Sequence, residues 1–123
     1  MDIEEVGKEI VDSVIQVHRS LGPGLFESVY QRCLVYELLK RGLKLDTERT
    51  VPIRYGNVLL NSGFRIDILV EGMIVIENKA VSQLLPLHEA QLITYLRLSN
   101  CRLGYLLNWN VALMKNGIRR FVN

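Results

Sequence analysis

Apolar positions recur in two different rhythms along this chain, and the change of rhythm separates helical from extended stretches. Over residues 3–21, Ile3, Val6, Ile10, Val14, Val17 and Leu21 fall three or four apart, the spacing of one face of an α-helix. Asp2 with Glu5 has the form of a capping box at its start, and Leu21-Gly22-Pro23-Gly24 stops it. A second helix is expected from Leu25 to Arg41, with Gly42 as its stop and Phe26, Val29, Tyr30, Cys33 and Leu34 as its apolar stripe. The pattern then turns β-branched and aromatic. Residues 47–56 read as a strand that Pro52 assigns to an edge or a bulge. Gly56-Asn57 is a turn signal, and Val58-Leu59-Leu60 either extends that strand or begins a return. Residues 64–70 and 73–80 read as two strands joined by a hairpin at Glu71-Gly72. Pro86 suits the first turn of a third helix running to about Ser99, whose Ala90, Leu92, Ile93 and Leu96 can face a sheet. Arg102–Asn108 reads as a buried strand with a close approach at Gly104, and Ile118–Val122 as a short last strand.

The order is therefore helix, helix, three strands, helix, strand, strand. This predicts an α/β (α+β) fold in which helices flank a central mixed β-sheet. No internal repeat, linker or low-complexity stretch interrupts it, so residues 1–123 are expected to form a single domain.

The hairpin carries the ionisable residues of greatest interest. Both of its strands are apolar on both faces over part of their length, which predicts central strands covered on each side. A carboxylate there is costly unless something pairs with it, so Asp67 and Glu77 are either paired structural charges or a site. Alternation puts Met73, Val75, Glu77 and Lys79 on one face of their strand, with Phe64, Ile66, Ile68 and Val70 together on one face of the other. A two-residue turn would set Asp67 opposite Ile76. A three-residue connection, Glu71 to Met73, sets Asp67 opposite Glu77, Leu69 opposite Val75 and Arg65 opposite Lys79. Gly72 suits the odd-length loop, which is the one expected. Two facing carboxylates repel and gain most from a divalent cation between them.

Composition bounds the partners. Hydrophobic residues make up 49% of the chain, ordinary for a globular protein. No apolar run approaches the ~20 residues of a membrane helix and no signal peptide is visible. Cys33 and Cys101 are isolated, which predicts a reduced, cytoplasmic setting rather than a disulfide or metal site. Net charge is +2. Residues 1–12 alone sum to −4, which leaves +6 for the rest, a modestly basic body that fits a polyanion. His18, near the end of the first helix, reads as a polar surface residue, and Trp109 as core or rim. His88, Gln91 and Tyr95 form one polar stripe on the third helix, either a wet face or part of a site.

There is no Gly-rich phosphate loop, no His-Glu-x-x-His, no Cys-x-x-Cys and no Gly-x-Ser-x-Gly. What remains is Glu27, Asp67, Glu77-Asn78-Lys79, Gln91 and Tyr95. An acidic residue in one strand followed by Glu-x-Lys in the next resembles the PD-(D/E)XK nuclease superfamily. Gly24-Leu25-Phe26-Glu27-Ser28-Val29-Tyr30 matches the signature of its GxxExxY family. Gly63-Phe64-Arg65-Ile66-Asp67, Glu77-Asn78-Lys79-Ala80-Val81, His88-Glu89-Ala90-Gln91 with Tyr95, and Gly117-Ile118-Arg119-Arg120 follow that family's pattern in order. The resemblance spans about residues 6–122 and implies a restriction-endonuclease-like core. Asn78 departs from it, standing where an apolar residue such as Leu is expected, and puts an amide on a helix-covered face.

The resemblance also implies roles. Asp67 and Glu77 would bind Mg²⁺ or Mn²⁺ together with the backbone carbonyl of Asn78 and waters, a set that suits Mg²⁺. Glu27 would hold a second metal or a water on the metal. Lys79 would orient the attacking water and offset developing charge. Gln91 and Tyr95 resemble the Gln-x-x-x-Tyr element of RecB-like members and would touch nucleic acid. Arg65 is either a phosphate contact or a surface arginine. The implied activity is metal-dependent cleavage of nucleic acid, DNA ahead of RNA, by a chain that needs a homodimer or a partner protein to read its substrate. Two alternatives stand: a non-catalytic nucleic-acid-binding or protein-interaction module of the same fold, and a structural arrangement in which Asp67 and Glu77 form buried ion pairs with Arg65 and Lys79.

Overall fold

Helix α1 (Ile3–Leu21) starts at Asp2, whose side chain accepts from the Glu5 N–H at 2.9 Å while Glu5 reaches back to the Asp2 N–H. The computed structural model describes residues 1–123. The stripe read from the sequence is the buried one: Val6, Ile10, Val14 and Val17 all face inward. Gly22, with φ of 69°, turns the chain out of the helix. Helix α2 (Glu27–Lys40) then buries Tyr30, Leu34 and Leu38. Its expected stripe is too wide at the N-terminal end. Phe26 precedes the helix and is 80% exposed, and Val29 is exposed too.

Five strands form one sheet in the order β1 (Leu45–Tyr55), β2 (Val58–Val70), β3 (Ile74–Lys79), β4 (Leu103–Asn108), β5 (Ile118–Val122). All neighbours are antiparallel except β3 and β4, which are parallel and joined across helix α3 (Pro86–Ser99). The element order and the mixed sheet are those expected. Val58-Leu59-Leu60 begins a return strand, since Gly56-Asn57 closes the β1–β2 hairpin. Pro52 sits at a register shift on the edge strand, where its missing N–H breaks no interior ladder.

Apolar side chains form two layers. Helices α1 and α2 cover one face over Ile68, Val70, Ile74, Ile76, Tyr105, Leu107 and Trp109. Helix α3 covers the other over Ile66, Leu69, Val75 and Leu106, to which it adds Leu92 and Leu96. Ala90 and Ile93, expected toward the sheet, are exposed. At Gly104 a Cβ would come within 2.9 Å of Leu96, so glycine permits the close seating of α3 on β4. His18 is buried rather than superficial: its Nε2 lies 2.9 Å from the Val111 carbonyl and its ring stacks toward Trp109.

Two expectations about β2 need correction. The strand is central only over Ile66–Val70; residues 58–62 are exposed, because β2 is 13 residues long and outruns its six-residue neighbour β3. Its alternation also breaks. Phe64 and Ile66 pack in the α3 layer, whereas Ile68 and Val70 pack in the α1–α2 layer. The inversion occurs at Asp67. Across from it on β1, Glu48 has φ of 53°, so both strands roll over at the same level.

Candidate active site at a fork in the sheet

The β2–β3 hairpin closes through Glu71, Gly72 and Met73. Val70 pairs with Ile74, Leu69 with Val75 and Ile68 with Ile76. This is the odd-length register, with Glu71 and Gly72 in the left-handed region at φ of 54° and 65°. The ladder stops one pair later. At Asp67 and Glu77 the strands diverge and side chains replace main-chain partners: the Asp67 N–H donates to Glu77 Oε1 at 3.2 Å, and the Asn78 N–H donates to Asp67 Oδ2 at 2.8 Å. Beyond that point β2 continues with β1, and β3 with β4. Arg65 therefore pairs with Thr50 on β1 and not with Lys79. The two carboxylates occupy the fork.

Each carboxylate has one oxygen left over. Asp67 Oδ1 and Glu77 Oε2 accept no hydrogen bond from the protein, and neither is sealed away as a buried unpaired atom. Glu77 is 7% exposed and Asp67 half-buried. None of the six ion pairs in the protein involves Asp67, Glu77 or Lys79. Arg65 pairs instead with Glu48, at 2.8 Å. The buried-ion-pair arrangement is thereby ruled out.

The electrostatics follow from this geometry. Burial, then the charge of Asp67, pushes the Glu77 carboxyl up to about 8, against the lowering pull of the Asp67 N–H and of Lys79. Burial also raises Asp67, opposed by the Asn78 N–H and by the charges of Lys79 and Arg65. Glu27 is raised by partial burial and by Asp67, although its place in the first turn of α2 would by itself favour the carboxylate. Tyr95 is raised by burial and by the charges of Glu77 and Asp67. Glu27, Asp67, Glu77, Lys79 and Tyr95 thus share one electrostatic neighbourhood.

Local structure fixes these groups. Tyr30 holds the turn before Glu27: its hydroxyl donates to the Gly22 carbonyl at 2.6 Å and accepts from the Leu25 N–H at 3.2 Å, while its ring stacks on Trp109 with centroids 4.9 Å apart. Lys79 is anchored through its main chain, whose carbonyl accepts from the Trp109 N–H at 2.9 Å. Tyr95 stacks face to face on Phe64, with centroids 4.4 Å apart. Gln91 lies one turn earlier on α3, half-buried. His88, the third member of that stripe, caps the helix, its Nδ1 accepting from the Leu85 N–H at 3.0 Å. Asn78 is fully buried and satisfied: Trp109 Nε1 donates to its Oδ1 at 2.9 Å, and its Nδ2 donates to Gln31 Oε1 at 3.0 Å.

Sequence reasoning gave no role to two participants, Gln31 and Glu48. Gln31 Nε2 donates to Glu48 Oε1 at 2.9 Å and lies 3.4 Å from the Asp67 carbonyl. Glu48 raises both Asp67 and Glu27. Gln31 is placed by the sequence on the Glu27 face of α2, at i+4. Glu48 had no signal, because its position depends on pairing across two strands.

The site offers oxygen donors only. No group of three or more His, Cys, Asp or Glu side chains is arranged to hold an ion. Two carboxylates with free oxygens, supplemented by water, a main-chain carbonyl and a substrate phosphate, match what Mg²⁺ accepts; a soft or imidazole-seeking metal finds no ligand here. A concavity of about 530 Å³ between the end of α1 and the Met114 turn contains His18, Arg19 and Lys115 but none of the acidic cluster. Chemistry, not cavity size, marks the fork.

A family model described as the PD-(D/E)XK nuclease superfamily matches residues 4–121. No curated protein and no solved structure matches the chain significantly. No helix is long and apolar enough to cross a membrane.

Proposed function

Since the chain belongs to the PD-(D/E)XK nuclease superfamily, we propose that it is a Mg²⁺- or Mn²⁺-dependent nuclease that hydrolyses phosphodiester bonds, with DNA the substrate ahead of RNA. The observation that carries this reading is the fork: buried Glu77 and half-buried Asp67 face each other, neither held in an ion pair and each with a free oxygen.

Asp67 Oδ1 and Glu77 Oε2 are the groups to hold the ion, aided by the Asn78 carbonyl. Glu27 stands at the rim for a second ion or for water. A divalent cation here would polarise the phosphoryl oxygen and offset charge in the transition state. The chain supplies the rest. Lys79 Nζ, unpaired with any carboxylate, orients the attacking water and counters charge developing on the phosphoryl oxygens. Glu77, which holds a proton near neutral pH without a cation, gives that proton up when one binds. Tyr95, held by Phe64, and Gln91, one turn before it on α3, would touch the nucleic acid. The finer likeness to the GxxExxY family fits this assignment, with Glu27 and Tyr30 as its named residues. A cytoplasmic location, one domain over residues 1–123 and a homodimer or protein partner belong to the same reading.

Purified protein should cleave single- or double-stranded DNA with Mn²⁺ and not with EDTA. Asp67→Asn and Lys79→Ala should each lower the rate at least about 100-fold. Cleavage by Lys79→Ala at the wild-type rate would contradict the reading, and metal and DNA binding without cleavage would favour a non-catalytic module.

A further inference from the structure

Glu48 sits inside β1 between the pairs Thr47–Ile68 and Arg49–Ile66, yet its own φ is 53°. Glycine adopts that conformation freely and glutamate resists it. Mid-strand strain of this kind persists only where surrounding contacts impose it. Here the contacts are specific. Glu48 Oε1 accepts from Gln31 Nε2 at 2.9 Å, and Oε2 lies 2.8 Å from Arg65 Nε. Gln31 is held by Asn78, and Asn78 by the buried indole of Trp109. A continuous hydrogen-bonded chain thus runs from the core, through the amide that departs from the family pattern, to Glu48, and an ion pair carries it on to Arg65 at the surface.

Both Glu48 oxygens are occupied, so this carboxylate is not free to ligate an ion. Arg65 is the opposite case. Its Nε is taken, whereas its two terminal nitrogens have no protein partner, and its side chain is 66% exposed. It stands two residues from Asp67 on the same strand, and its charge reaches that carboxylate. A guanidinium tethered by an ion pair at Nε keeps its two terminal nitrogens as a planar fork suited to a phosphate.

We propose that Glu48 is a positioning residue, whose strained backbone, hydrogen bond from Gln31 and ion pair to Arg65 hold Arg65 so that its free terminal nitrogens seat a backbone phosphate of the nucleic acid beside the Asp67–Glu77 fork. This rests on the nuclease reading, because that reading brings a phosphate to the fork. It assigns Arg65 to substrate and gives Glu48 a reason to occupy a conformation that costs stability.

The test is a double-mutant cycle on Glu48→Gly and Arg65→Ala. Binding of a fluorescent single-stranded oligonucleotide is read by anisotropy in metal-free buffer, beside thermal melting and cleavage with Mn²⁺. Each single variant should weaken binding about 5- to 10-fold, and Arg65→Ala should reduce the salt slope by about 1. Glu48→Gly added to Arg65→Ala should cost nothing further, since one residue acts through the other. Relief of the strained backbone should leave the Tm of Glu48→Gly unchanged or raise it by up to about 5 °C. A lowered Tm with unchanged binding would make Glu48 a structural residue, and additive losses would detach it from Arg65; either overturns the proposal, as does failure of the wild type to bind the oligonucleotide. Binding that follows the expected cycle in a protein that does not cleave would overturn the catalytic reading alone and support the phosphate seat.

Discussion

Glu77 accepts the main-chain N–H of Asp67 at 3.2 Å, and Asp67 in turn accepts the N–H that follows Glu77 at 2.8 Å. Each carboxylate therefore spends one oxygen replacing a sheet hydrogen bond. The two are held at the point where β2 and β3 separate by the same bonds that end the ladder. Opening the sheet and gathering acidic oxygens are one structural event, and the behaviour of the site follows from it.

The first consequence is a pH-dependent weakness of the metal-free protein. The Glu77 carboxyl, pushed up to about 8 from an ordinary value of 4.5, keeps its proton in the folded state after the unfolded chain has lost it. The stability this contributes is fully present below about pH 4.5 and is lost as pH rises through 8. Glu77→Gln keeps an acceptor for the Asp67 N–H and carries no charge. It should match the wild type near pH 5 and exceed it at pH 8.5 by on the order of 2 kcal/mol in urea denaturation with EDTA. Equal stabilities at pH 8.5 would show that Glu77 is not buried in this way.

The Asn78 amide makes a second prediction, independent of catalysis. It bridges Trp109 and Gln31 in the core. Asn78→Leu, which restores the apolar residue expected from the family pattern, would strand the indole N–H of Trp109 and the Gln31 carbonyl. A loss of roughly 2–4 kcal/mol is expected, measured by chemical denaturation. A neutral or stabilising result would mean that the chain of bonds from Trp109 to Glu48 is not maintained.

Tyr30 tests the link between the turn at Gly22 and Glu27. Tyr30→Phe retains the ring stacked on Trp109 and removes both hydroxyl bonds. Stability should fall by about 1 kcal/mol, and amide exchange at Leu25 should accelerate. Unchanged exchange there would show that the turn does not depend on the hydroxyl.

Much of this was legible in the sequence where one local rule decided the outcome. Pro86 set the start of α3, the capping box set the start of α1, and Gly72 with Glu71 set the odd hairpin register that faces Asp67 with Glu77. What escaped depends on non-local pairing. The inversion of β2 at Asp67 and the placing of Glu48 need both strands of the β1–β2 ribbon, so strict alternation wrongly put Ile66 with Ile68. Length comparison, rather than hydrophobicity, explains why β2 leaves the covered core. Net charge does not show pairing either: within the basic body, Arg119 is bound to Glu89 and Arg120 to Glu4, each at 3.0 Å. Asp67, Glu77 and Lys79 were readable as a group because Glu-x-Lys fixes face and spacing within one strand.

The most direct test is a Mn²⁺ soak of crystals followed by anomalous diffraction at the manganese edge. A peak in the fork, coordinated by Asp67 Oδ1 and Glu77 Oε2 and absent in Asp67→Asn, is the predicted result. Two well-ordered carboxylates in the wild type with no manganese between them would contradict the account.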